Sequence, residues 1–269
     1  VMRGSPEKYD LYGLGRRRVL SDRVMDEREI DLPDDKHFVA DIADFGAVRR
    51  AVEGMDVVVH LAADPAGGEW ESVLRNNIVG AYNVWEAAHR HGVRRVVYAS
   101  SIHAVGMYPR QERIGTDVPH RPDTFYGLAK CFAEDLARLY WEKRGVEAVC
   151  LRILSCAQVT GARALGTWLS YGDLIQLVTR AIDTPTTGFT VVYGVSDNDR
   201  CPVDNSAARY LVYAPRDNAE QFAAQVLAAE GPGDPRDPAQ MCHGGPFAAV
   251  DLGQSGQAQM NIVDDRKEP

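Results

Sequence analysis

The chain has 269 residues and a formal net charge of −8; it is 45% hydrophobic and 25% charged, which suits one α/β domain or one domain with a cap. The acidic balance argues against nucleic-acid binding, which needs clustered positive charge, and Arg16-Arg17-Arg18 is the one dense basic run. No apolar run approaches a membrane span, no segment reads as a secretory signal or a metal motif, and five cysteines without CxxC spacing read as reduced thiols of a cytoplasmic protein.

Asp10 to Leu14 reads as a short strand, Arg16 to Pro33 as a charged loop, and His37 to Ala40 as a second short strand ending at Asp41. Asp44 is placed to cap a helix with Val48, Ala51 and Val52 on its buried stripe and Gly54 as its stop. Asp56 to Ala63 is a continuous apolar run, the kind a parallel sheet buries on both faces. Ile78, Ala81, Tyr82, Trp85 and Ala88 recur at helical spacing before Gly92, and Arg95 to Ser101 is the next strand. A long helix follows to about Arg144, with Leu128, Phe132, Leu136 and Leu139 expected on its buried side. Glu147 to Leu154 predicts a buried strand, Leu174 to Ile182 a helix, Phe189 to Val195 a strand and Asn218 to Ala229 a helix. From Gly231 onward, Pro, Gly and polar residues predict a tail that is poorly ordered or wraps the surface.

This alternation predicts an α/β fold, a Rossmann-like doubly wound parallel sheet. Residues 1–155 would form the nucleotide-binding region, 156–230 a small substrate-binding part and 231–269 the tail. Ligands of such sheets sit beyond the carboxyl ends of the strands. Asp41, Ala62-Ala63, Ser100-Ser101 and Ser155 fall at four such ends.

Tyr126 and Lys130 are four apart, so on a helix they share one face. An ammonium beside a phenol stabilises the phenolate, which predicts a lowered Tyr126 pKa and a general base. Random placement of 11 tyrosines and five lysines gives about 0.2 such pairs, so the pair gains meaning only from its neighbours.

Those neighbours carry a resemblance. Asp41-Ile42, His60-Leu61-Ala62-Ala63, Asn77-Ile78-Val79-Gly80-Ala81, Ala99-Ser100-Ser101 and Tyr126-Gly127-Leu128-Ala129-Lys130 resemble, in order and spacing, the extended short-chain dehydrogenases/reductases, the NAD-dependent epimerase/dehydratase family. A narrower likeness is to bacterial uronate dehydrogenases, through Ser101-Ile102-His103, Asp117 to Asp123, Tyr126 to Phe132, Arg152 to Cys156 and Arg163 to Trp168. The resemblance implies NAD-dependent oxidation of glucuronate or galacturonate at C1 to the aldarolactone, and pairing of copies through helices. It implies Tyr126 as base, Lys130 and Ser101 beside it, and Asn77 as anchor of a proton relay. It places Ser101, His103, Ser155 and Arg163 at the substrate, with the Arg163 fork matching a carboxylate. Asp41, Ile42, Leu61, Ala62, Ala63, Asn77, Tyr126 and Lys130 would line the cofactor. Ile102 replaces an asparagine of the uronate enzymes, and Cys156 reads as a packed thiol.

Two departures accompany the likeness. The family opens with a strand and a glycine-rich turn that cradles the cofactor pyrophosphate. Here residues 1–8 read as the end of the first helix and Asp10 to Leu14 as the second strand, and Gly13-Leu14-Gly15 has Arg18 where a third glycine would be needed. The expectation is that about 25 to 30 upstream residues are missing and that the sheet exposes an edge in its middle. At the end of that strand Gly15, then Arg16 and Arg17, stand where the family holds ribose hydroxyls with an acid, so Arg16 opens the site to NADP. A sugar epimerase or dehydratase of the same fold, or a binding protein without catalysis, are the alternatives.

Overall fold

The computed structural model describes residues 8–17, 32–65, 68–230 and 236–256. The expectations placed on residues 1–7, on Arg18 and the loop to residue 31, and on 257–269 lie outside these. β1 (Gly13–Gly15) pairs in parallel with β2 (His37–Val39). α1 (Phe45–Val52) starts at Asp44, whose carboxylate accepts the Ala47 N–H at 3.1 Å. A second parallel sheet holds β3 (Val57–His60), β4 (Arg95–Ser101), β5 (Glu147–Ile153) and β6 (Phe189–Gly194) in that order. Between β3 and β4 run α2 (Trp70–Val73), a π-helical turn (Leu74–Val79) and α3 (Gly80–Arg90). The crossover from β4 to β5 is α4 (Phe125–Arg144), and that from β5 to β6 carries α5 (Ala164–Thr167) and α6 (Tyr171–Asp183). α7 (Ala223–Ala229), α8 (Pro238–Met241) and α9 (Pro246–Ala249) follow.

Alternation along β4 and β5 sends side chains to two cores. Val96 and Cys150 pack with Val48, Trp85, Ala133 and Ala137 from α1, α3 and α4 on one face. Val97, Val149 and Leu151 pack with Leu177, Val178 and Ala181 of α6 on the other. Helices therefore cover both faces, as a doubly wound sheet requires. Among the described residues no helix is long and apolar enough to cross a membrane, and no His, Cys, Asp and Glu cluster could hold a metal ion.

The sheet is in two pieces. β1 and β3 each pair on one side only, so the mid-sheet edge expected from the sequence is present among the described residues. This corrects the reading of Asp56 to Ala63 as a strand buried on both faces: β3 spans four residues, and Val57, Val58 and Val59 are only half-buried. Helix faces also differ from the periodicity. α4 lies on the sheet through Ala129, Ala133 and Ala137, small residues that allow close approach, with Lys130 and Glu134 buried beside them. Leu128 and Leu139 are 44% and 50% exposed, as is Tyr82 of α3 at 46%. Of the expected apolar stripe, Leu136 packs against the core and Phe132 is half-buried, while Leu128 and Leu139 mark a second, exposed face. Of the two alternatives expected for the tail, residues 236–256 take the second and wrap against the body, pairing Cys242 with Pro109 and bonding the Gly244 N–H to the Gly106 carbonyl at 2.8 Å.

Candidate active site

β4 ends at Ser100-Ser101 and the chain turns through a 3-10 segment, Ile102–Val105, whose start is capped by the Ser101 hydroxyl accepting the His103 N–H at 3.3 Å. Thr124 caps α4 by accepting the Gly127 N–H at 3.2 Å, which fixes the first turn and with it Tyr126. Gly127 is required by packing: a Cβ there would lie 2.4 Å from the His103 carbonyl oxygen. Ser101 lies close enough to the Tyr126 phenol to favour its ionised form. Lys130 is buried, donates to the Ala99 carbonyl at 2.6 Å, and stands 5.2 Å from the Tyr126 ring centroid. Ser101, Tyr126 and Lys130 are therefore brought together.

The electrostatics differ from the spacing argument. Burial pushes the Tyr126 phenol up to about 12; the nearby Ser101 hydroxyl works against this, while Asp123 and Asp64 add to it. Burial also pulls the Lys130 ammonium down to about 7, with the Glu134 carboxylate opposing. Lys130 spends its proton on a backbone carbonyl, so the lowered phenol expected from the sequence is not found. Desolvation outweighs the pairing. Glu134, one turn beyond Lys130, is held by the Ser100 hydroxyl at 2.5 Å, Arg152 Nη2 at 2.7 Å and His120 Nε2 at 2.9 Å.

On the substrate side, His103 Nδ1 is 2.7 Å from Asp123 Oδ2, and the Asp123 side chain is fully enclosed. That carboxylate sits between two glycines: a Cβ on Gly106 would fall 1.9 Å from Oδ2, and one on Gly244 2.0 Å. The Phe247 ring stacks on His103 at 3.8 Å and lies 6.1 Å from Tyr126. Arg163 donates to the His243 carbonyl at 2.6 Å. Burial and the nearby Arg110 charge lower its pKa to about 10, with Asp123 opposing. Arg163 and Arg110 thus hold positive charge beside the site that holds His103. Ser155, just past β5, is tied to Leu169 by its carbonyl at 2.8 Å. Burial pushes the Cys156 thiol up to about 11, which fits a packed thiol. The sequence reading assigns no site role to Asp123, Phe247 or Gly244; the Gly244-Gly245-Pro246 turn is the visible signal, and it falls in the stretch expected to be poorly ordered or to wrap the surface.

On the cofactor side, Asn77 is buried in the π-helical turn and holds the Asp64 backbone twice, accepting its N–H at 2.6 Å and donating to its carbonyl at 2.9 Å. It anchors the loop after β3, where Leu61 is 63% exposed and Ala62 and Ala63 follow. Asp41 accepts the Ala43 N–H at 2.8 Å and Arg75 Nη2 at 2.9 Å; these two bonds, and then the Arg16 charge, hold its carboxyl below the usual range. Ile42 buries its side chain in the core with Val48 and Ala81, and its carbonyl accepts from Asn83 at 3.0 Å. A buried ammonium, a phenol and a hydroxyl converging at the carboxyl end of β4 fit the nicotinamide ribose and a reacting carbon. The strand ends at Asp41 and Ala62-Ala63 fit an adenosine. Among the described residues, no glycine-rich strand-to-helix turn presents N–H groups to a pyrophosphate.

A parallel sheet with ligand-facing strand ends and a Ser, Tyr and Lys cluster defines a nucleotide-dependent oxidoreductase of the short-chain type. The chain belongs to the NAD dependent epimerase/dehydratase family, whose model matches residues 4–188. It is 43% identical over 219 residues to a uronate dehydrogenase of Pseudomonas putida, covering 81% of each chain. It is likewise 43% identical over 208 residues to one from Agrobacterium fabrum, covering 77% of this chain and 78% of that one. Among solved structures, the uronate dehydrogenase from Agrobacterium tumefaciens superimposes with a TM-score of 0.82 at 37% identity, over 93% of this chain and 92% of that one. The glucuronic acid dehydrogenase from Chromohalobacter salexigens gives the same TM-score of 0.82, identity of 37% and coverage of 93% and 92%.

Proposed function

We propose that the chain oxidises a hexuronate, galacturonate or glucuronate, at C1 to the aldarolactone with a nicotinamide dinucleotide. The observation that carries this reading is the convergence of Ser101, Tyr126 and Lys130 on one strand end, with the Arg163 guanidinium close to Asp123, the partner of His103. NAD supplies the hydride acceptor. Arg163 receives the sugar carboxylate, which orients the ring against the Phe247 and His103 rings. Ser101 donates to the reacting oxygen. Tyr126 takes the C1 hydroxyl proton as the C1 hydride departs, so C1 becomes the lactone carbonyl. Burial raises the phenol to about 12, so Tyr126 must first give up its own proton, and its phenolate is the form that accepts the one from the C1 hydroxyl. Lys130 and Asn77 hold the ribose and the loop after β3. Residues 156–230, joined by 236–256, form the substrate side.

Turnover of either uronate, followed by nicotinamide absorbance, tests this. Tyr126→Phe is expected to cut it by roughly 10²- to 10⁴-fold. No reduction with either sugar, or an active Tyr126→Phe variant, overturns the reading. We also propose that two copies pair through the exposed apolar faces of α3, the π-helical turn that leads into it, and α4, where Val79, Tyr82, Leu128 and Leu139 stand 39%, 46%, 44% and 50% exposed. Light scattering should give a dimer or larger, and Leu128→Glu with Leu139→Glu should dissociate it; a monomeric parent protein refutes the pairing.

A further inference from the structure

The Asp123 side chain is fully enclosed, and its two oxygens are engaged separately. Oδ1 accepts the Thr124 hydroxyl at 3.0 Å, and Oδ2 lies 2.7 Å from His103 Nδ1. The Thr124 oxygen in turn accepts the Gly127 N–H at 3.2 Å. A hydroxyl has a single proton to give, and here it goes to Asp123. A carboxylate gives none, so the proton of the 2.7 Å contact stands on His103 Nδ1. In the neutral ring the lone pair then sits on Nε2, for which no hydrogen-bond partner occurs among the described residues. Phe247 stacks on this ring at 3.8 Å, and the Tyr126 ring meets it edge-on at 5.7 Å, so its plane is fixed as well. The α4 cap does not need the carboxylate, since Thr124 supplies that cap alone. Yet three separate segments make room for it: a Cβ on Gly106, Gly127 or Gly244 would stand 1.9, 3.0 or 2.0 Å from an Asp123 oxygen.

We propose that Asp123 is a positioning residue that holds His103 in the Nδ1–H tautomer, so that Nε2 accepts a hydrogen bond from a hydroxyl of the sugar. The inference rests on the hexuronate reading above and adds the residue that sets the direction of one substrate hydrogen bond. The acceptor sense bears on specificity: a hydroxyl can donate to Nε2, whereas an ether or keto oxygen at the same place cannot. The Thr124 cap joins Asp123 to the first turn of α4, so the bonds that place Tyr126 also place His103. The base and the acceptor for the sugar therefore keep one fixed relation.

Asp123→Asn keeps the size and shape of the side chain and tests this directly. With Oδ1 held by Thr124, the amide nitrogen faces His103 Nδ1, and a donor there moves the ring proton to Nε2. Isotope-edited nitrogen NMR of the full chain at about pH 8 reads the tautomer without any turnover. The parent protein should show Nδ1–H and the variant Nε2–H. In the variant, KM for the uronate should rise roughly tenfold to a hundredfold, with kcat changed less. Thermal unfolding checks that the variant folds, and the parent spectrum is decisive even where it does not. An Nε2–H or doubly protonated ring in the parent overturns the inference, and so does a folded variant that keeps the parental tautomer or the parental KM. An Nδ1–H ring in the parent without uronate oxidation leaves Asp123 in this role and removes the proposed sugar. Uronate oxidation by a protein whose His103 carries Nε2–H does the opposite.

Discussion

Glu134→Gln removes the charge at the centre of the most enclosed ionic network in the molecule. Its carboxylate and the Arg152 side chain are each 2% exposed, joined at 2.7 Å and 3.0 Å, with His120 and Ser100 completing the shell. The neutral amide leaves a buried guanidinium without its counter-charge; the amide oxygen and the Thr116 carbonyl, 3.2 Å from Nη1, still accept from it, but neither carries charge. Breaking a buried pair in this way costs about 3 to 5 kcal/mol. The direction of the carboxyl's pKa agrees: the His120, Arg152 and Ser100 contacts outweigh burial and hold the Glu134 carboxyl below its ordinary 4.5, at about 2. Because the folded value is the lower, this stability is complete above pH 4.5 and is lost as pH falls toward 2. Urea unfolding of both proteins should therefore show a large gap at pH 7 that closes through this window. A gap below about 1 kcal/mol at pH 7, or one that does not change with acid, refutes the reasoning.

Asn77→Ala leaves the Asp64 N–H and carbonyl without their buried partner, which should cost about 1 to 3 kcal/mol and lower kcat; a variant with parental stability would remove Asn77 as the anchor of that loop. Gly244→Ala drives a methyl group to 2.0 Å from Asp123 Oδ2, so Asp123 or the strand must move. The expected loss is about 1 to 3 kcal/mol with a raised KM for the sugar, and unchanged kinetics would show that His103 does not depend on this cradle.

Local rules made much of this molecule readable. Asp44 and Gly54 bracket α1 as helix signals do, and Arg95 to Ser101 is a strand over the stated span. The order of strands and the edge beside β3 followed from the alternation and from the residues that resemble a known family. What failed depended on contacts made far along the chain. Leu128 and Leu139 of α4 follow a helical period, but a period names a face without naming its partner, and the sheet selected Ala129, Ala133 and Ala137 instead. The same holds for Tyr126: spacing placed Lys130 beside it, while the depth of burial, which reverses the shift, comes from the tertiary structure. Asp123 sits among polar sequence neighbours, yet His103, Gly106 and Gly244 close around its carboxylate, and no local pattern joins those residues to it.

The strap at residues 241–247 gives the site a direction in time. Tyr126, Lys130 and Ser101 belong to elements that pair among themselves, so the acid–base groups can be in place early during synthesis. The ring over His103, the carbonyl that fixes Arg163 and the glycine that closes on Asp123 all arrive from the last part of the described chain. A ribosome that has delivered the whole sheet has still delivered a protein in which Asp123, His103 and Arg163 lack the contacts that fix them.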